Sequence, residues 1–377
     1  MRILHIVGAR PNFMKAAPVV RALRKFPEIE QILIHTGQHY DANMSDVFFR
    51  QLDLPEPTIN LAVGSGSHAQ QTSKIMARLE PIVLNESPDL VLVYGDVNST
   101  MGAALVCSKL MVRVGHVEAG LRSQDRSMPE EINRVVTDQL SDLLFTPSAD
   151  ADKNLRKEGI ARAKIHRVGN VMIDTLIRLL PQSKRRPDCN LPGRYVLATL
   201  HRPANVDDLP WLRCMLLVLS EMSHEVEVVF SVHPRTRQRI SELGLPTVST
   251  GRLRLLDPMP YLEFLALQRD ALAVITDSGG IQEETAFLGV PCFTVRENTE
   301  RPITVHMGTN TLVGRDTARL QVELQSILSG GRKRRTKIPL WDGCAEERIA
   351  DVIAKELGSR ECIDYCGSEQ ITCEPNS

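Results

Sequence analysis

Residues 271–289 read ALAVITDSGGIQEETAFLG: an apolar run, the turn Asp277-Ser278-Gly279-Gly280, and a stretch of helical length that ends at Gly289. The uncharged run ALAVIT reads as a strand covered on both faces. In the helical stretch, Ile281, Thr285 and Leu288 share one stripe by their i, i+4, i+7 spacing. A buried strand that feeds a helix through a glycine turn is a unit of a parallel α/β layer. Ser278 is placed to cap the helix, and the two glycines let a ligand approach exposed N–H groups at its start, which suits a diphosphate. Glu284 lies on the inward stripe, three residues after Ile281, whereas Glu283 is read as pointing elsewhere. A carboxylate on an inward face needs partners, and the two hydroxyls of a ribose would serve. A plain capped helix is the competing reading.

The same alternation extends in both directions from this unit. Strands are expected over 3–7, 31–35, 90–94, 112–116 and 143–145, with helices between them over 13–25, 69–84, 99–110 and 129–140. Further strands are expected over 195–199, 226–231, 253–256, 271–276 and 292–295. Between the halves, PQSKRRPDCNLPG at 181–193 is rich in breakers and charge, and reads as a domain boundary. The expected fold is α/β, with two Rossmann-like doubly wound domains facing a cleft. The first domain spans 1–180 and the second 193–360. The polar tail 361–377 is expected to be disordered. GRKRRTK at 331–337 reads as a solvated loop, and no internal repeat is found.

Composition narrows the function. The chain has 377 residues, enough for about two domains and a large core without staples. Lys+Arg 45 against Asp+Glu 46 leaves a formal charge of -1, and aromatics are only 4%. With no basic excess and few stacking side chains, a nucleic-acid partner is not expected. No apolar run approaches the ~18 residues of a membrane span, and the apolar run at the start is too short for a signal peptide. A cytoplasmic protein without membrane partners is expected, its eight cysteines kept as thiols. Cys362, Cys366 and Cys373 match no zinc template, so no metal is expected.

In open α/β sheets ligands bind beyond the carboxyl ends of the strands, so the residues after each strand matter most. The first strand is followed by Gly8-Ala9-Arg10-Pro11 and a helix carrying Lys15. This is neither a dinucleotide fingerprint nor a P-loop, and no cofactor is expected. Arg10 and Lys15 would hold a phosphate, or else are surface cations. Asp96 follows the strand at 90–94, and Glu118 the strand at 112–116. Glu130 opens the helix after Met128-Pro129, where the helix dipole alone would account for it. His201 and His233 also follow strands. His201 faces the cleft by topology, while His233 reads as structural.

The pieces GARPNFMKAAP, HTGQHYD, YGDVNST, GHVEAGLRSQDRSMPEEINR, TLHR, DPMPYLEF, TDSGGIQEE and NTERP run in order from Gly8 to Pro302. Together they resemble the non-hydrolysing UDP-N-acetylglucosamine 2-epimerases. The resemblance implies a glycosyltransferase B type fold, with a UDP-sugar substrate in the interdomain cleft and a homodimer as the working form. It also implies interconversion of UDP-GlcNAc and UDP-N-acetylmannosamine for surface polysaccharide synthesis. Carried over, Arg10, Met259, Phe264, Ser278, Gly279, Gly280, Glu284 and Arg301 would contact the nucleotide. Lys15, Asp96, Glu118, Glu130 and His201 would surround the sugar and leaving group. Two departures stand out. Ala204 occupies a position where the family pattern has Glu. YDANMSD after Gln38-His39 replaces the glutamine-containing run tied to allosteric UDP-GlcNAc binding in some members, so that regulation is not carried over.

The implied chemistry has a physical rationale. C2 of an acetamido sugar has no neighbouring ring carbonyl, so enolisation cannot invert it. Without a nicotinamide site, transient oxidation is disfavoured. Elimination remains: a carboxylate takes the C2 proton as UDP leaves C1, and re-addition returns the proton on the other face. That route needs a base, an acid and donors for the diphosphate. Three carboxylates, Asp96, Glu118 and Glu130, offer the first two, without the sequence assigning which is which. The same reaction on a UDP-diacetamido-uronic acid is an alternative, as is a UDP-sugar-dependent glycosyltransferase.

Overall fold

The computed structural model describes residues 1–38, 46–184, 193–244, 252–331 and 336–366 of the chain. The first sheet contains β1 (Arg2–Val7), β2 (Glu30–His35), β3 (Ile59–Asn60), β4 (Leu90–Tyr94), β5 (Val114–Val117), β6 (Leu143–Thr146) and β7 (Ile165–Arg167). The second contains β8 (Tyr195–Thr199), β9 (Glu227–Ser231), β10 (Leu253–Leu256), β11 (Ala273–Thr276), β12 (Cys292–Thr294) and β13 (Asn310–Leu312). All pairings are parallel. The orders are β3-β2-β1-β4-β5-β6-β7 and β10-β9-β8-β11-β12-β13. Each order reverses beside the first strand of its sheet, between β1 and β4 and between β8 and β11. These are the switch points where open α/β sheets bind ligands.

The sequence dictates this layering. LVLVY of β4 and EVVFS of β9 are buried throughout, as strands covered on both faces must be. The helix His68–Glu86 starts with a capping box: Ser67 accepts from Gln70 N at 3.3 Å, and the Gln70 side chain returns to Ser67 N at 3.2 Å. Pro129 opens the helix Pro129–Leu140 at a position whose N–H has no helical partner. The expected α/β fold of two Rossmann-like units is therefore present. Three short edge strands, β3, β7 and β13, have no counterpart among the strands expected from sequence.

The chain's end differs from the expectation. The helix Ala345–Cys366 continues past 360, so 361–366 are helical rather than a disordered tail. It also returns to the first sheet, packing on the helices Arg10–Leu23 and Val171–Leu179. Its Ile349 and Ile353 are wholly buried in the core beneath β1 and β4, which is the physical reason for the crossing. Residues 185–192 of the expected boundary, 332–335 of the basic loop, 39–45 and the tail from 367 lie outside the described residues.

Candidate active site

The carboxyl ends of both sheets meet at a buried ionic network. Lys15, on the helix after β1, is buried and ion-paired with Glu118 at the end of β5. Glu118 Oε1 lies 3.1 Å from Arg301 Nη2, which belongs to the second domain. Arg301 in turn pairs with Glu300, and its Nε lies 2.8 Å from Glu283 Oε1 as an ion pair without hydrogen-bond alignment. Burying so many charges is tolerable only because each has an opposite partner. Glu118 has φ 76, a left-handed conformation that is strained for a residue with a Cβ. Gly95, at φ 65, leaves the room beside it: a Cβ there would come 2.7 Å from Lys15 Nζ and 3.2 Å from Glu118 Oε2.

Asp96 is held by Arg134, whose Nε and Nη2 both donate to Oδ2, at 3.1 and 2.6 Å. Burial pushes the Asp96 carboxyl up, but Arg134, Lys15 and Arg301 outweigh it and hold it below the usual range. Glu131 braces the same guanidinium from Oε2 at 2.7 Å, and it accepts the backbone N–H groups of Ser123 and Gln124. Glu130, by contrast, is half-exposed. With His201 it lines a cavity of about 640 Å³ that Met128, Arg202, Arg296 and Arg315 also line.

His201 is organised by Asp277. The carboxylate accepts the backbone N–H groups of His201 and Arg202 and the Asn205 amide, and lies 2.9 Å from His201 Nδ1. Burial raises the Asp277 carboxyl, yet His201 and these donors bring it below its usual range. The imidazole is thereby fixed through Nδ1, leaving Nε2 on the other side of the ring. His233 instead caps its own helix by accepting from Arg235 N.

The glycine turn after β11 starts the helix Gly279–Leu288 as expected, but Ser278 makes no side-chain cap. The two glycines differ. A Cβ on Gly279 would come 2.5 Å from Arg301 Nη1 and 2.6 Å from Glu300 Oε1, whereas one on Gly280 would meet nothing within 4 Å. Gly279 thus makes room for the ion pair, and Gly280 fronts open space. Glu284 is buried and accepts from the Tyr261 hydroxyl at 2.8 Å, and burial pushes its carboxyl up to about 7. Glu283 does not point away: it is also buried, because Arg301 reaches it. Met259 and Phe264 are half-buried beside Ile281 on the second sheet. Arg10 opens its helix near Tyr261, whose hydroxyl feels its charge.

The structure thus joins Lys15, Asp96, Glu118 and Arg301 through charge, and places Glu130 and His201 on the lining of one cavity. Sequence reasoning missed Arg134, Asp277, Glu283 and Glu300. Arg134 stood in plain view, one helical turn beyond Glu130. Among the described residues, no group of three or more His, Cys, Asp or Glu side chains is arranged to hold a metal ion. No described helix is long and apolar enough to cross a membrane.

A sequence profile described as UDP-N-acetylglucosamine 2-epimerase matches residues 21–354. The chain belongs to the UDP-N-acetylglucosamine 2-epimerase family. A relative of that name from Methanocaldococcus jannaschii is 42% identical over 364 residues, covering 94% of this chain and 99% of its own. The crystal structure of the Methanocaldococcus jannaschii UDP-GlcNAc 2-epimerase, in complex with UDP-GlcNAc and UDP, matches with a TM-score of 0.86 and 42% identity, covering 94% of this chain and 100% of that one. A Pseudomonas aeruginosa relative named UDP-2,3-diacetamido-2,3-dideoxy-D-glucuronate 2-epimerase is 43% identical over 359 residues, covering 94% of this chain and 100% of its own. This member of the UDP-GlcNAc 2-epimerase family has the glycosyltransferase B type fold that the sequence pieces implied.

Proposed function

We propose that the protein interconverts UDP-N-acetylglucosamine and UDP-N-acetylmannosamine by eliminating and re-adding UDP, and that it works as a homodimer in the cytoplasm to feed surface polysaccharide synthesis. The observation that carries this reading is the interdomain set Lys15–Glu118–Arg301 with Asp96 beside it, carboxylates and cations gathered at the switch points of both sheets. Asp96, kept ionised by Arg134, is the base that takes the C2 proton. Glu118 and Glu130 supply the acid for the opposite face. As the C1–O bond breaks, the electron pair leaves with the diphosphate, giving a 1,2-unsaturated sugar. Arg10, Lys15, Arg301 and the N–H groups from Ser278 to Gly280 take up the charge, as preorganised donors do. His201, oriented by Asp277, faces the sugar and leaving group. Glu284 accepts the ribose hydroxyls, with Met259 and Phe264 beside the uracil. When the UDP oxygen returns to C1, C2 is reprotonated from the other face.

The Pseudomonas aeruginosa relative favours a second reading, the same reaction on a UDP-diacetamido-uronic acid. Arg202, Arg296 and Arg315 in the cleft would suit its carboxylate. The test is kcat/KM for each UDP-sugar, supplied without any acceptor. Faster turnover of UDP-GlcNAc to UDP-ManNAc supports the first reading. Preference for the uronic acid selects the second. No turnover of either until a sugar acceptor is added selects a glycosyltransferase.

A further inference from the structure

We propose that His116 carries a proton on both ring nitrogens, and that this buried imidazolium, clamped by Asp138, is a positioning residue that holds the loops bearing Asp96 and Glu118. His116 lies in β5 and is wholly buried. Its Nδ1 is 2.6 Å from Asp138 Oδ1, and its Nε2 is 2.8 Å from the carbonyl oxygen of Gly95. A carbonyl oxygen and a carboxylate oxygen only accept, so each ring nitrogen must donate. A neutral ring has one N–H and would leave an acceptor facing a lone pair inside the core.

The alternative home for the proton is Asp138, and its surroundings oppose that. Asp138 Oδ2 already accepts from Gly120 N at 3.1 Å and lies 2.7 Å from Arg122 Nη2.

The geometry explains what the clamp holds. Through Gly95 it fixes the end of β4, one residue before Asp96. Through Gly120 it fixes the turn that puts Glu118 at φ 76. Strained backbone persists only where its surroundings over-determine it. Here Asp138 ties both strand ends together from the helix Pro129–Leu140, which also carries Glu130 and Arg134. The role given to the clamp rests on the proposed epimerisation, whereas the protonation state does not.

The experiment is ¹⁵N NMR of histidine-labelled full-length protein near neutral pH, where a ring with two N–H groups gives a different pattern from a ring with one. One of the ten histidines should keep both nitrogens protonated. That signal should vanish in His116→Gln and survive in His201→Gln. Ten neutral rings, or a surviving signal in His116→Gln, overturn the proposal. The wild-type spectrum decides this even if a variant fails to fold. For the positioning role, Asp138→Asn should lower kcat on the UDP-sugar by up to about 10²-fold, the scale of a slight misplacement, with KM within about twofold. Unchanged kcat in folded Asp138→Asn, with only a lower melting temperature, reduces the clamp to a structural part. A wild-type enzyme without turnover sinks the epimerase reading and leaves the imidazolium result standing.

Discussion

A methyl group at position 280 has room to spare, since a Cβ there meets nothing within 4 Å, yet it would project where a diphosphate must approach the helix start. Gly280→Ala should therefore leave the melting temperature unchanged and weaken UDP binding by about tenfold, roughly 1.4 kcal/mol. Calorimetric titration with UDP checks this, and unchanged affinity would move the phosphate elsewhere. The three carboxylates should separate by stability as well as rate. Asp96→Asn, Glu118→Gln and Glu130→Gln should each lower kcat by about 10²–10⁴. Glu118→Gln should also unfold markedly earlier, because it leaves Lys15 and Arg301 short of a buried partner, and Asp96→Asn less so, because Arg134 keeps Glu131. Glu130 is the sharpest case: a helix-dipole role would cost it only ~0.3–1 kcal/mol and no rate. Glu284 makes a pH prediction. Burial raises its carboxyl to about 7, and ribose hydroxyls donate to the ionised form and lower it again. UDP-sugar binding near neutral pH should release a proton and tighten as pH rises from about 6 to about 8. Titration in two buffers of different ionisation heat measures that release, and its absence would remove Glu284 from the ribose. Among single residues the sequence indicated where the backbone puts them, as with Asp96 after β4 and Gly280 at the start of its helix. It misled at Glu283, where helical spacing pointed the side chain away and a cation from a distant loop drew it in.

Elements were legible where apolar runs were continuous. Strands β4 and β8 fall at the residues their composition indicates, because burial on both faces leaves an unbroken apolar signature. β3, β7 and β13 have two or three residues each, too few for any period to register, and form only because a neighbouring strand offers its edge. The last helix shows a further limit. The sequence reading did not name it, and which domain it covers is set by packing of Ile349 and Ile353 against the first sheet. Its start is capped from another helix: Asp174 Oδ2 accepts Glu346 N at 2.7 Å. Burial raises the Asp174 carboxyl to about 7. A raised carboxyl keeps its proton in the fold while the unfolded chain ionises, so stability falls as pH climbs from about 4 to about 7 and stays lower above. Asp174→Asn keeps the acceptor and removes the penalty. It should raise stability above pH 7 by about 1 kcal/mol or more, and change little near pH 4. Thermal melts at both pH values check this, and a gain at pH 4 alone would contradict it.

Across the molecule, the candidate site draws residues from both domains. Glu118 comes from the first sheet and Arg301 from the second, and their contact at 3.1 Å closes the cleft floor. No local pattern in the sequence reports such a contact. Topology indicates that both sets of strand ends face one cleft, and the family pieces GHVEAGLR and NTERP supply its members, but their pairing emerges only in the fold. Everything proposed for the cleft turns on inversion of C2 by proton removal and UDP loss. The decisive experiment is incubation of the pure protein with UDP-GlcNAc alone in D2O, followed by NMR of the sugar. Elimination and re-addition predict UDP-ManNAc with deuterium at C2, and deuterium entering the recovered UDP-GlcNAc as well. Epimerisation with the C2 proton fully retained would contradict that mechanism.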